Sequence, residues 1–331
     1  MTPKRLILPL ALACLVVGLF CVSVAVGYAP LDIGAAFDDL LSGRPSLSAL
    51  VLAELRLPRA ILGAAVGFSL GITGAALQGL MRNPLADPGV VGVSGAAALG
   101  AVIAFYFGFS STFAMALPIG RLAGAAAATA VLLILAARGA GTVVLILAGV
   151  ALSSLAGALT ALALNLAPSP YAALELVFWL MGSLSDRSMV HVALALPFMT
   201  IGWALVLGTG SALDALTLGE EAAESLGFPL RRVRLRVIAG TAAAVGASVA
   251  VAGAIGFVGL VVPHLMRPLV GHRPGRLLLA SGLAGAALTL GADIVVRLIP
   301  TRPELKLGVV TALIGAPFFL FLLIRLKGME R

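Results

Sequence analysis

Apolar residues run along this chain in long blocks, separated by short polar interruptions. The blocks are Leu6–Val26, Ala60–Leu80, Val90–Phe107, Ala114–Ala137, Val143–Leu164, Met189–Leu207, Val237–Ala254, Leu277–Val296 and Leu307–Leu326. A helix crosses the hydrocarbon core with about 20 such residues, so each block predicts a spanning helix. Tyr171–Met181 is shorter and flanked by Pro168, Pro170, Asp186 and Arg187, which suits a re-entrant or interfacial helix better than a span. Leu260–Leu269 follows a glycine-rich bend at Gly253–Gly259 and reads as a short return segment. Lys4 and Arg5 precede the first block, which is longer than the roughly 7–15 apolar residues of a signal peptide; it predicts a helix with a cytoplasmic N-terminus.

Two of the blocks carry a second periodicity. Gly63, Gly67 and Gly71 fall every fourth residue and share one helix face, as do Gly92, Ala96, Gly100 and Ala104 on the next helix. Small residues at that spacing let helices approach closely in lipid, where packing must replace the hydrophobic effect. Between these helices lies the turn Arg82-Asn83-Pro84-Leu85-Ala86-Asp87-Pro88, an order that helix packing alone does not require.

Composition sets the class. Of 331 residues, 61% are hydrophobic and 11% charged, and the mean hydropathy is +1.13. No soluble domain hides that much apolar surface, so the expected fold is an all-α polytopic membrane protein. Cys14 and Cys21 are seven residues apart on one predicted helix, about 10 Å along its axis and too far for a disulfide. The net charge of +8 is unaccompanied by any soluble basic domain, which excludes nucleic acid as a partner. Basic residues act here first as topology signals. The larger share of the 22 Lys and Arg falls on the predicted cytoplasmic side, including the C-terminal Arg325, Lys327 and Arg331. Arg56, Arg59 and Arg297 fall at predicted extracytoplasmic helix ends, where the rule disfavours them and a separate reason is needed.

Asp214–Arg236 is the longest charged stretch on the predicted cytoplasmic side. Glu220, Glu221 and Glu224 after Leu218-Gly219 suit the positive end of a short helix that Gly227 stops before Pro229. An ordinary solvated loop and a docking helix for a soluble partner both fit these features. Metal-ligand, nucleophile-elbow and Walker A patterns are absent from the sequence, so any ATP that powers the protein is bound by another chain. His264, after Pro263, reads as a packing histidine. Asp293, one turn before Arg297, permits a local ion pair; a proton relay is the sharper alternative.

These residues carry a family resemblance. RLPR at 56–59, GAALQGLMRNPLADPGVVGVSGAA at 74–97, FWLMGSLSDRS at 178–188, LGEEAAESLG at 218–227, GFVGLVVPHLMR at 256–267, ADIVVR at 292–297 and GVVTALIGAPFFLFLL at 308–323 occur in one order along the chain. The chain thereby resembles the FecCD/BtuC-type permeases, the membrane subunits of bacterial ABC importers for iron-siderophore complexes, haem and cobalamin. The resemblance implies one permease domain over 1–331 with about ten transmembrane helices, in the bacterial inner membrane with both termini cytoplasmic. It implies a second copy of the chain, two cytoplasmic ATPase subunits that hold ATP and Mg, and a periplasmic binding protein; this chain itself binds no cofactor and is no enzyme.

Within the coupling segment 214–230, the resemblance assigns contact with the ATPase to Leu218, Gly219, Glu220, Glu221, Ala222, Glu224, Ser225, Leu226 and Gly227. It assigns binding-protein docking, through glutamates of that protein, to Arg56, Arg59 and Arg297, and counts the Val143–Leu164 helix among the lining of the path. The expected cargo is a ferric siderophore, the commonest in the family, with haem and cobalamin as the others. A proton-coupled secondary transporter is the rival reading. Two departures from the family pattern stand out: Lys306 where a proline is usual in Glu304-Leu305-Lys306-Leu307-Gly308, and Ala254 where a proline is usual after Ala252-Gly253.

Overall fold

A computed structural model describes residues 4–27, 31–109, 113, 115–167, 170–299, 301 and 303–329. All regular structure among them is helical. The long helices are α1 (Lys4–Ala25), α4 (Leu57–Met81), α5 (Val93–Tyr106), α6 (Ala116–Ala137), α7 (Thr142–Asn165), α9 (Met189–Leu207), α12 (Leu230–Ala252), α14 (Pro274–Leu298) and α15 (Leu307–Met329). Short helices join them: α2 (Ile33–Leu41), α3 (Leu47–Val51), α8 (Pro170–Leu180), α10 (Gly210–Leu216), α11 (Glu220–Ser225) and α13 (Val258–Met266). Seven of the described helical segments are long and apolar enough to cross a membrane, with Val93–Tyr106 and Leu307–Phe321 as shorter apolar helices. Of the residues placed by topology above, Ala114, Pro168 and Arg331 lie outside the described residues.

Local chemistry sets the boundaries. Asp32 and Ser46 cap α2 and α3 by accepting the backbone N–H groups of Ala35 and Ala49 at 3.1 Å each. The stretch between α1 and α4 therefore contains two capped helices and a π-helical turn, Leu52–Arg56, that runs straight into α4. Pro58 sits in the first turn of α4, where its missing N–H costs nothing, and Arg82 ends the helix in the left-handed region at φ 47°.

The predicted start of the seventh long block at Val237 is corrected to Leu230. Leu230, Val233 and Val237 are buried while Arg231, Arg232 and Arg236 are exposed, so the helix begins with amphipathic turns that an average over apolar residues does not register. The short pieces at 171–181 and 260–269 are indeed short helices, α8 and α13.

The core is built on small residues. One continuous set of buried hydrophobics runs from Leu62 to Leu307, with α4, α12 and α14 supplying much of it. Along α4 a Cβ on Gly67 would lie 2.3 Å from the Gly285 carbonyl oxygen, and one on Gly71 would lie 2.0 Å from that of Ser281. The backbones of α4 and α14 are therefore in contact. Gly100 repeats this against Gly120 in α6. The four-residue glycine spacing is thus a packing device, as its plain reading held.

The outer helices differ: α7 exposes Val143, Leu147, Leu155 and Leu162, and α15 exposes Leu313, Ile314, Leu320 and Phe321. Cys14 and Cys21 are free and exposed on α1. Trp203 of α9 donates its indole N–H to Ser69 Oγ at 2.9 Å, so a buried hydroxyl in α4 is partnered inside the bundle.

A Gly71→Leu substitution forces backbone apart rather than a side-chain tip, so its cost should reach or exceed the roughly 3 kcal/mol upper range for overpacking. Gly18→Leu, with nothing within 4 Å of the added atom, should be silent. Thermal unfolding of the two variants in detergent, with recovery of monodisperse protein, checks this.

Candidate functional site

Polar chemistry gathers at two places joined by α14. Gly275 and Asp293 of that helix are about 27 Å apart along its axis. Near Gly275 is the segment predicted to couple to a partner; around Asp293 is a cluster of charges.

The charged cluster is made by residues distant in sequence. Arg59 of α4 binds Asp293 of α14 through two nitrogens, Nε to Oδ1 and Oδ2 at 3.0 and 3.1 Å and Nη2 to Oδ1 at 2.8 Å. Its Nη1 also reaches Glu304 Oε2 at 3.3 Å, and its Nη2 is paired with Glu304 Oε1. Arg297 approaches Asp293 Oδ2 from the other side at 2.9 Å, the local pair that the four-residue spacing permitted. A buried carboxylate is thereby held between two guanidinium groups, the arrangement that offsets the desolvation of all three.

The same arginines close the end of α1. Arg297 Nη1 donates to the carbonyls of Ser23 and Val26, each at 2.7 Å, and its Nη2 donates to Ser23 Oγ at 2.6 Å. Arg56 Nη1 donates to the carbonyls of Val24 and Ala25 at 3.1 and 2.7 Å. The last carbonyls of a helix lack intrahelical donors and carry its negative end, so two arginines there satisfy both needs.

Arg56 and Arg297 are only 5% and 7% exposed, and the Arg59 side chain 12%. The three arginines singled out for docking are thus brought together, but facing inward and held by this chain's own acceptors. Glu304 is the member that sequence reasoning missed as a partner; it was visible only as part of a motif. Burial alone would raise its carboxyl, and the Arg59 hydrogen bond and charge more than offset this, holding it below the usual carboxylate range.

At the other end of α14, Asp214 Oδ1 accepts the Gly275 N–H at 2.8 Å, binding α10 to the start of the long helix. From α10 the chain turns through Gly219, whose φ of 112° excludes a side chain without strain, into α11. Glu220 pairs with Arg234 of α12 at 2.8 Å, and Ala223 is fully buried, which seats α11 on the first turns of α12.

Glu221, Glu224, Ser225 and Gly227 face outward, and Ala222 is half-buried. Leu218 and Leu226 flank the helix with 70% and 61% of their surface exposed. The segment is thus an acidic projection with an uncovered leucine at each side. The solvated-loop alternative does not describe it, because the segment is folded and fastened at Asp214, Glu220 and Ala223.

His264 stands edge-on to Phe318, with ring centroids 6.2 Å apart, in keeping with a packing role. Among the described residues no group of His, Cys, Asp or Glu could hold a metal ion.

Comparison with known proteins agrees with this arrangement. Residues 14–325 match the FecCD transport family. The vitamin B12 import system permease protein BtuC of Vibrio cholerae is 43% identical over 312 residues, covering 94% of this chain and 93% of that one. The Fe(3+) dicitrate transport system permease protein FecD of Escherichia coli is 38% identical over 310 residues, 94% and 96% of the two chains. Among solved structures, an inward-facing conformation of a metal-chelate type ABC transporter superposes with a TM-score of 0.83 at 30% identity, covering 96% of this chain and 98% of that one. The chain therefore belongs to the FecCD transport family and is a membrane permease of the ABC importer type.

Proposed function

We propose that this chain is the permease subunit that carries a metal-chelate cargo across the bacterial inner membrane by alternating access, powered by ATP hydrolysis on partner subunits. The observation that carries the proposal is the rigid connection between the two polar ends. The Asp214–Gly275 bond ties the projecting α10–α11 segment to α14, and α14 ends in the Arg59–Asp293–Arg297 cluster. A push on α11 thus has a stiff path to the far side.

In this reading two copies of the chain enclose the path, with both termini in the cytoplasm and one permease domain over 1–331. Leu218, Gly219, Glu220, Glu221, Ala222, Glu224, Ser225, Leu226 and Gly227 seat in the ATPase, where Leu218 and Leu226 lose their exposed surface. ATP and Mg sit on the ATPase dimer, and its closure moves the α11 segments. Cargo moves only if the two states differ in affinity for it, and a path of low affinity favours release. The exposed apolar faces of α7 and α15 suit the partner copy and the lipid. The relatives' names bracket the cargo: vitamin B12 for one and ferric dicitrate for another. A ferric siderophore remains the cargo we propose, with haem and cobalamin as alternatives to score in the same assay.

The arginine cluster is proposed as the seat of the periplasmic binding protein. Arg59 is the most exposed of the three arginines and already exchanges hydrogen bonds with Glu304 at the rim. A glutamate of the binding protein would compete with Glu304 for Arg59, while Arg56 and Arg297 hold the surrounding helix ends in place.

Two experiments test these roles. In a complex reconstituted with a cognate ATPase and binding protein, Glu221→Arg with Gly219→Pro should abolish both assembly and ATP-driven uptake, since proline cannot adopt the Gly219 backbone. Uptake that persists without any ATPase subunit would instead favour a proton-coupled transporter, for which Asp293→Asn under a pH gradient is the discriminating variant.

Glu304→Gln should tighten binding-protein docking several-fold at low salt, with the gain fading as salt rises, because rim charges act through long-range attraction. Arg56→Glu with Arg59→Glu should weaken it, measured beside thermal unfolding because that variant also buries carboxylates. Docking unchanged in both variants removes the cluster from the interface.

The same variant carries a pH signature. A carboxyl held below its ordinary value of 4.5 stabilises the fold above that pH, and the contribution disappears as pH falls through the depressed value. Native protein should therefore lose an increment of thermal stability on acidification that Glu304→Gln lacks.

A further inference from the structure

The connection that leaves α8 is clamped at its base. Ser183 N–H donates to the Ala252 carbonyl at the close of α12 at 2.7 Å, and Gly308 N–H, near the start of α15, donates to the Gly182 carbonyl at 3.3 Å. A Cβ on Gly182 would lie 2.3 Å from the Ala254 carbonyl oxygen, and one on Gly308 would lie 2.3 Å from that of Met181. Three backbones meet there without room for side chains. The body of α8 is less enclosed. Tyr171, Leu174 and Phe178 share one side of it and are exposed. A cavity of about 350 Å³, with Phe178, His191 and Lys306 on its wall, leaves open space beside it. A helix of 11 residues has little stability of its own, so the contacts it does make set its pose.

One turn of chain reaches both α8 and the arginine cluster. Lys306 Nζ stands 5.6 Å from the centre of the Phe178 ring, within cation–π range. Two residues earlier, Glu304 pairs with Arg59 and accepts a hydrogen bond from the Ser185 hydroxyl. Ser185 Oγ in turn accepts from Ser183 Oγ at 3.0 Å. Donors therefore run in one direction from the clamped connection to Glu304, where they meet Arg59 donating from the other side. Glu304 and Leu305 lie outside any helix, and the Lys306 carbonyl accepts the Val309 N–H at 3.0 Å as α15 begins. Both side chains thus leave the chain just before the helix ladder takes hold.

We propose that Glu304 and Lys306 are positioning residues that make the pose of α8 depend on the state of Arg59. While Arg59 pairs with Glu304, the turn is drawn toward the cluster and Lys306 holds Phe178. An external carboxylate that takes Arg59 leaves Glu304, partly withdrawn from water, without its cationic partner. That state is costly, so the turn gives way, Lys306 leaves the ring and α8 swings about the clamped Gly182. The tie belongs to this chain, because a proline at 306, the usual residue of the family pattern, has no charge to offer Phe178. The inference rests on the docking reading for what displaces Glu304, though not for the tie itself.

Backbone hydrogen exchange, followed by mass spectrometry on the full chain in nanodiscs, tests the tie. Lys306→Met should speed exchange in α8 about fivefold, the scale of one cation–π contact, and Lys306→Arg should restore it to within about twofold. Glu304→Gln should also speed it, although the partners of Glu304, Arg59 and Ser185, lie outside α8. The double variant should exchange no faster than Lys306→Met alone, because both changes act through one contact. Exchange in α9 should stay as it is in every variant, and Glu54→Gln, at an exposed carboxyl of the π-helical turn, should leave α8 unchanged. Added cognate binding protein should speed α8 exchange in the native chain and add nothing in Lys306→Met.

Unchanged α8 exchange in Lys306→Met overturns the proposal. Additive effects in the double variant overturn it too, because two independent contacts are then at work. So does an equal rise in α9, which marks a general loosening of the fold. Docking is scored separately by cosedimentation of the binding protein with the nanodiscs. Docking that leaves α8 exchange as it was overturns the dependence on Arg59. Absence of docking removes the docking reading, and the variants alone then decide the tie.

Discussion

Everything in this structure depends on how closely α4 and α14 can approach. In lipid the apolar side chains gain nothing by turning inward, so helix association must come from contact itself. Gly67 and Gly71 against Gly285 and Ser281 remove the side chains that would hold two backbones apart. Dispersion between close-packed atoms then acts along the whole seam, each contact small and the sum large. The close seam also brings Arg59 on one helix within reach of Asp293 on the other; helices spaced by leucines would leave that carboxylate with only its neighbour on α14.

The charged cluster is a consequence of that approach and a reason for tolerating it. Carboxylates and guanidiniums are costly at this depth unless each is fully partnered. Arg59, Asp293, Arg297 and Glu304 partner one another, and Arg56 and Arg297 use their remaining donors on the end of α1. The positive-inside rule marks these arginines as anomalous without showing why, and the structure adds a reason that sequence did not suggest. They are helix caps and ion-pair partners before they are anything else. Their proposed use as a docking surface is built on charges already in place.

How much of this was legible in the sequence follows from the range of each interaction. The Asp293–Arg297 pair is one turn of helix and could be read from spacing. The Arg59–Asp293 and Arg59–Glu304 pairs span more than two hundred residues of chain, and no local pattern encodes them. Glycine periodicity identified the packing faces of α4 and α5 but not which helices they would meet. The predicted apolar block starts late, at Val237, because Arg231, Arg232, Arg234 and Arg236 mask the buried Leu230 and Val233 between them. Spacing at i and i+3 was the available signal there, and mean hydropathy outweighed it. The α11 segment was read correctly in outline, since Gly219, the acids after it and Gly227 are terminal signals of a short helix. Its fastening to α12 through Glu220 and Arg234 was not readable, because fourteen residues separate them.

The distribution of polar groups along α14 bears on how a low-affinity path could still be directional. Along α14 the middle is lined with alanine, leucine and glycine, while the charged partners of the helix lie at Asp214 near one end and in the arginine cluster at the other. A helix of this length, packed backbone to backbone on α4, resists bending and moves as a unit; a shift at Asp214 that cannot be absorbed midway must appear at Asp293. There it meets an ion-pair network in which Arg59 is shared between Asp293 and Glu304. Coupling between sites requires an element that either end can bias, and the proposed role of α14 is to supply it.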